Sequence, residues 1–207
     1  MRYLPFISFL ISLLACSSPY TKMQKISRDA GCVQKFRPAF DGTLYNTKVD
    51  VVGKHLSGLL LIKTMPDSST RIVFTSEIGF KFFDFGFSHD SGFKIYYILK
   101  QMDKKAVIKT LRKDFELIMM YNIPMQDAYV LKNKENYYYY AFPQEKGINY
   151  YIIDSACSQL LSMERSSKRK VVVEAVMQQY HNGLPDTIGI THKNFNFTIG
   201  LKRLEKK

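Results

Sequence analysis

The sequence predicts a mainly β (α+β) protein, an antiparallel sheet of about 11–12 strands with one amphipathic helix. Two observations carry this. From residue 44 onward, short runs of alternating apolar and polar residues recur between turn-forming clusters. That alternation is broken once, over 103–119, where apolar residues return at helical spacing instead.

Taken in order, residues 1–15 form a signal peptide: Arg2, then an apolar stretch of about a dozen residues, short of the ~20 that a spanning helix needs. The stretch stops at Leu13-Leu14-Ala15-Cys16, which resembles the lipobox of bacterial lipoproteins. That resemblance implies a diacylglyceryl group on the Cys16 sulfur, cleavage before it, and acylation (palmitate) of the new amino terminus. Several chains together hold a protein firmly on a membrane, because each buried methylene contributes ~0.8 kcal/mol. Ser17 follows where an aspartate would signal retention in the inner membrane, so the expected place is the outer membrane, lipid-anchored, with the body on the periplasmic face. Residues 16–36 are polar and basic, contain Pro19 and show no sustained apolar period; they read as a lipidated tether. Residues 37–207 then read as a single β domain, with no internal repeat and no dividing linker.

Within that domain, LYNTKVDV at 44–51 alternates cleanly, Gly53-Lys54 turns the chain, and HLSGLLLIKTM follows as a second strand. Pro66-Asp67-Ser68-Ser69 is a turn by composition, before TRIVFT. The fourth run, GFKFFDFGF, has aromatics at both parities, so either both faces are covered or a bulge near Phe82 switches register. FKIYYIL is the fifth. The helical stretch starts at Asp103, a good N-cap, and puts Val107, Leu111, Phe115 and Ile118 on one side with Met119 beside them. Lys105, Lys109, Arg112, Lys113 and Glu116 take the other side, over sixteen to eighteen residues ending before Pro124. Such a stripe packs on a sheet or lies on a membrane. Seven further runs, from DAYVLK to NFTIGLKRL, restore the β pattern.

The order of elements over about 40–204 resembles the LolA/LolB lipoprotein-localisation family, with local likeness in two stretches. Ser76-Glu77-Ile78-Gly79 resembles a loop that offers an apolar side chain ahead of a glycine, and LPDTIGITHKNFNFTIGLKRL at 184–204 resembles the closing hairpin. This chain differs in having Glu77 where that loop has proline, in lacking tryptophan, and in showing one helix. The resemblance implies a curved sheet, or incomplete β-barrel, with the helix on its concave face and a hollow between them that takes acyl chains. Val107, Leu111, Phe115, Ile118 and Met119 would line that hollow, and Ile78 would be an exposed apolar tip. The implied role is non-enzymatic binding of lipid or lipoprotein cargo. The alternative is a structural or interaction lipoprotein that meets a protein or envelope polysaccharide through a basic, tyrosine-rich face.

Composition narrows the partners. The leader carries only Arg2, so 29 basic and 18 acidic residues remain in the other 192, a balance of +11. The export signal turns this away from nucleic acid and toward anionic headgroups, or toward lysines that keep sheet edges unpaired. Cys32 and Cys157 are either a disulfide or two buried thiols. No nucleotide loop, Gly-x-Ser-x-Gly, His-Glu-x-x-His or Cys-x-x-Cys occurs, and Ser88-His89-Asp90 are adjacent turn formers. His55, His89, His181 and His192 lack ligand spacing. The expectation is therefore no enzyme, no metal and no cofactor. The fifteen Phe, fourteen Tyr and nine Met supply apolar surface that could line a lipid mouth, form a sugar platform, or pack across strands.

Overall fold

The computed structural model describes residues 18–167 and 169–204; the leader and Cys16 lie outside the described residues. The first half contributes β1 (Gln24–Ile26), β2 (Thr43–Val51), β3 (Lys54–Thr64), β4 (Thr70–Thr75), β5 (Lys81–Ser88) and β6 (Gly92–Ile98). The helix α1 (Lys105–Ile118) follows. The second half contributes β7 (Tyr129–Lys132), β8 (Tyr138–Pro143), β9 (Ile148–Ile153), β10 (Leu160–Ser166), β11 (Val171–His181), β12 (Leu184–His192) and β13 (Phe197–Arg203). All thirteen strands form one antiparallel sheet in the order β1-β7-β8-β9-β10-β11-β12-β13-β2-β3-β4-β5-β6. Twelve strands match the alternating runs; the thirteenth, β1, is three residues long, too short for a period to show.

The sheet is curved and not closed into a barrel, for its two ends, β1 and β6, do not pair with each other. The contacts of α1 require the curvature. β9 and β5 stand eight places apart in the sheet, which at ~4.8 Å per strand would be about 38 Å if it were flat. Yet the Tyr151 hydroxyl of β9 donates to the Leu117 carbonyl at 3.2 Å, and Phe115 packs on Phe83 of β5 with centroids 5.8 Å apart. A helix about 10–12 Å across touches both only where the sheet wraps around it.

Local chemistry explains two details. Phe74 pairs with Phe83 while Thr75 pairs with Lys81, so Phe82 is an extra residue in the β4–β5 ladder. This is the bulge that the aromatic parity pointed to, and it turns Phe83, Phe85 and Phe87 into the core. The helix, in turn, is shorter than expected. Asp103 is held in the preceding 3-10 turn, its N–H bonded to Lys100, and Lys104 takes the cap position without a side-chain cap bond. At the other end the Tyr121 N–H reaches the Glu116 carbonyl (2.9 Å) and the Met120 N–H reaches that of Leu117 (3.2 Å). This is a Schellman stop, with Met120 in the left-handed region (φ 50°).

A second, smaller apolar cluster lies outside the main core: Leu131, Ala141, Tyr150 and Ile152, with Tyr20 and Met23 packed on it. Residues 18–36 are thus largely built into the folded body, through Tyr20, β1, a 3-10 turn (Ala30–Phe36) and a Cys32–Cys157 disulfide (Cα–Cα 6.1 Å).

Candidate functional site

The helix stripe proves to be core. Leu111, Phe115, Ile118 and Met119 are buried, Val107 is half-buried, and all five pack together in the main cluster. Four open clefts of about 550 to 860 Å³ occur elsewhere, and α1 lines none of these four. One of them, of about 860 Å³, lies where β10 and β11 part beyond the Met163–Ala175 pair, between Leu160, Leu161, Met177 and Tyr180, with Phe36 against it.

What the stripe concealed is a carboxylate. Asp114, on the buried side of α1, receives Arg165 of β10 at 3.0 Å and His192 of β12 at 2.8 Å, all three buried. A lone buried charge is very costly, so this carboxylate stays on the apolar side only because two strands supply its partners. The cluster clamps helix to sheet. Its sequence signal was an aspartate flanked by Leu111, Phe115 and Leu117, which helical spacing alone cannot pair with distant strands. Among the described residues no group of three or more His, Cys, Asp and Glu is arranged to hold a metal ion.

The exposed apolar residues are organised by topology. Hairpin turns of an antiparallel meander alternate between the two ends of the sheet. One end therefore collects the turns 52–53, 76–80, 144–147, 167–170 and 193–196. Bonds tie the 193–196 turn to its neighbours: the Val52 N–H donates to Asn196 (2.9 Å), and the Lys193 N–H donates to Val172 at the start of β11 (2.9 Å). On this rim Ile78 is 82% exposed, Val52 72%, Phe80 70% and Phe195 41%. The 76–80 loop is held in shape beneath these side chains. Ser76 N–H donates to the Phe80 carbonyl (2.7 Å), Phe80 N–H donates to Ser76 Oγ (3.0 Å), and Gly79 supplies φ 89°. Lys54, Lys81, Lys146, Lys170 and Lys193 are exposed on the same turns or beside them, against Glu77 and Glu145. The sequence singled out Ile78; Val52, Phe80 and Phe195 join it only through strand order.

The outer face near β6 carries a second feature. Arg71 stacks over Tyr96 (3.6 Å), Lys94 approaches the same ring (4.8 Å), and Lys81 approaches Tyr97 (5.8 Å). Beneath them Asp84 is buried. Burial alone would raise its pKa, but the paired bonds from Arg71 and a bond from Lys81 outweigh that and hold it below the usual carboxylate range.

No family model matches the chain, and no curated protein matches it. Among solved structures similar to it are the following two. A DUF1329 family protein from Desulfovibrio piger is 9% identical over 84% of this chain and 88% of that one, with TM-score 0.44. A domain from Vibrio parahaemolyticus named for outer membrane lipoprotein sorting is 8% identical over 86% and 90%, with TM-score 0.44. Likenesses this distant do not bear on function.

Proposed function

We propose that the chain is a non-enzymatic, lipid-anchored protein of the bacterial outer membrane that engages lipid, or the acyl chains of lipoprotein cargo, through its apolar rim. The observation that carries this reading is the gathering of Ile78, Phe80, Val52 and Phe195 at one end of the sheet, ringed by lysines. Burying an Ile or Phe side chain contributes ~1.5–3 kcal/mol. A lysine near an anionic headgroup layer adds about 1 kcal/mol. The space beneath α1 is filled by its own side chains, which moves the expected contact from the concave face to the rim.

The test uses the mature chain with Cys16→Ser, which leaves the rim as the means of attachment. It should float with vesicles containing phosphatidylglycerol, and Ile78→Glu with Phe80→Glu should lower the partition by ~100-fold, from the burial lost. A soluble form that never floats, and takes up no fatty acid, overturns the reading. A second reading has one specific observation in its favour, the Arg71–Tyr96–Lys94 stack on the outer face. Aromatic rings flanked by cations suit an anionic envelope polysaccharide, and retention on such a polymer that is lost with Tyr96→Ala would favour it.

A further inference from the structure

The segment that leads to the lipid anchor is a strap, and where it is fastened has consequences for how the body sits. Tyr20 is only 8% exposed. Its ring stacks on Tyr150 with centroids 4.0 Å apart, meets Tyr139 edge-on at 6.1 Å, and its hydroxyl donates to Glu164. Just downstream, β1 pairs with β7 from Gln24–Lys132 to Ile26–Val130. The strap is thus held by side chains and by a strand ladder.

Its position is defined by register. Tyr150 lies two residues into β9 from Ile148, and Glu164 lies two residues before Ser166 at the end of β10. Ile148 and Ser166 pair with each other and open into the 144–147 and 167–170 turns of the apolar rim. Tyr20 is therefore fastened about 7 Å below that rim, at ~3.4 Å per strand residue. Tyr20 lies four residues beyond Cys16, and four extended residues span at most about 14 Å.

We infer that the strap holds the body flush against the membrane that carries its own N-terminal lipid, with the rim of Val52, Ile78, Phe80 and Phe195 facing that bilayer. The partner is an anionic phospholipid surface. The length and fastening of the strap bring the rim within reach of the headgroups, and Lys146 and Lys170, on the turns nearest Tyr20, complement their charge. This rests on the lipid-facing rim proposed above and adds orientation and proximity to it. Tethering by a short strap raises the effective concentration of the rim at the surface, and a longer connection lowers it roughly as the −3/2 power of length.

The chain contains no tryptophan, so a single Trp reports without background. Full-length lipidated protein in phosphatidylglycerol vesicles with brominated acyl chains would be compared as Phe80→Trp, on the rim, and Tyr137→Trp, at the opposite end. Quenching of Phe80→Trp alone is expected. Inserting twenty Gly/Ser residues between Ser17 and Ser18 should cut that quenching several-fold, up to ~15-fold by linker length, while the protein stays on the vesicles. Tyr20→Ala should act in the same direction, and the insertion covers the case in which Tyr20→Ala does not fold. Equal quenching at both positions, or none at Phe80→Trp, overturns the orientation. Quenching unchanged by the insertion overturns the strap while leaving the rim lipid-facing. Loss of flotation by the Cys16→Ser form, with quenching of the lipidated protein intact, counts against the proposed function instead.

Discussion

The two ends of the sheet are built from the same hairpins and finished differently. At the end away from the apolar rim, turns satisfy themselves with polar side chains. Asp67 accepts from Ser69 N–H and Oγ (3.0 and 2.6 Å), Asn133 accepts from Tyr137 N–H (2.8 Å), and Asp154 accepts from Ser158 and Gln159 N–H (2.7 and 2.8 Å). These bonds hold the Asp67 and Asp154 carboxyls below the ordinary carboxylate range, so that end stays anionic well into mild acid. At the other end backbone and Ser76 bonds close the 76–80 turn, and its tip is left apolar. Turn formation does not require Ile78 or Phe80: Gly79 and Ser76 supply the geometry, and polar tips would serve folding equally well. Ile78 and Phe80 are therefore exposed apolar tips that the turn geometry does not demand.

The ends also differ in how they are fastened, which sets the order of expected effects. The anionic end carries the Cys32–Cys157 disulfide, which closes a separation of 125 residues. Replacing both cysteines by serine should cost ~5 kcal/mol, read in urea unfolding of the oxidised and substituted forms. Near the apolar end the fastening is Asp114 with Arg165 and His192. Asp114→Ala leaves a buried guanidinium uncompensated and should cost ~3–5 kcal/mol, with the melting transition as readout. If Asp114→Ala unfolds at the wild-type temperature, the clamp is not holding the helix. Ile78→Glu with Phe80→Glu should change stability by less than ~0.5 kcal/mol while removing vesicle binding. The paired substitution Asp67→Lys and Asp154→Lys at the opposite end should leave vesicle binding of the wild-type rim in place.

The smallest effect concerns pH. Burial raises the Glu164 pKa, the Tyr20 bond and Lys193 oppose it, and nearby Glu174 adds to it, for a net rise. A carboxyl whose folded pKa lies above its unfolded value favours the packed strap when protonated. That contribution is fully present below the unfolded glutamate value and is lost as pH rises through the folded one. Hydrogen-exchange protection of residues 20–26 should fall over that window, and Glu164→Gln should flatten the dependence.

Much of the fold was legible because sheets announce themselves with a period of two. Twelve strands and the Phe82 bulge come from side-chain alternation, and the helix stripe from the one stretch where helical spacing replaces it. What stayed hidden needed distance information. β1 is three residues long and exists because β7 offers an edge. Asp114 looks misplaced until β10 and β12 bring Arg165 and His192 to it. Helical spacing identifies the apolar face of Val107, Leu111, Phe115, Ile118 and Met119 but not what fills the space before it; the resemblance implied the lining role, and the structure packs these residues into the core. Ile78 was visible in its loop, whereas Val52 and Phe195 are ordinary hairpin residues until strand order places their turns side by side.

The neighbouring of β13 and β2 ties Arg203 to Tyr45 and Phe197 to Val51, so the first long strand is completed by the last. As the chain is synthesised, the amino-terminal half emerges with one side of Thr43–Val51 unpaired until Phe197–Arg203 follows. Pairings this remote in sequence form slowly, and an unpaired edge is the part of a nascent sheet most prone to sticking. Losing the final hairpin would thus leave two half-sheets with mutually complementary open seams, free to find each other in separate molecules.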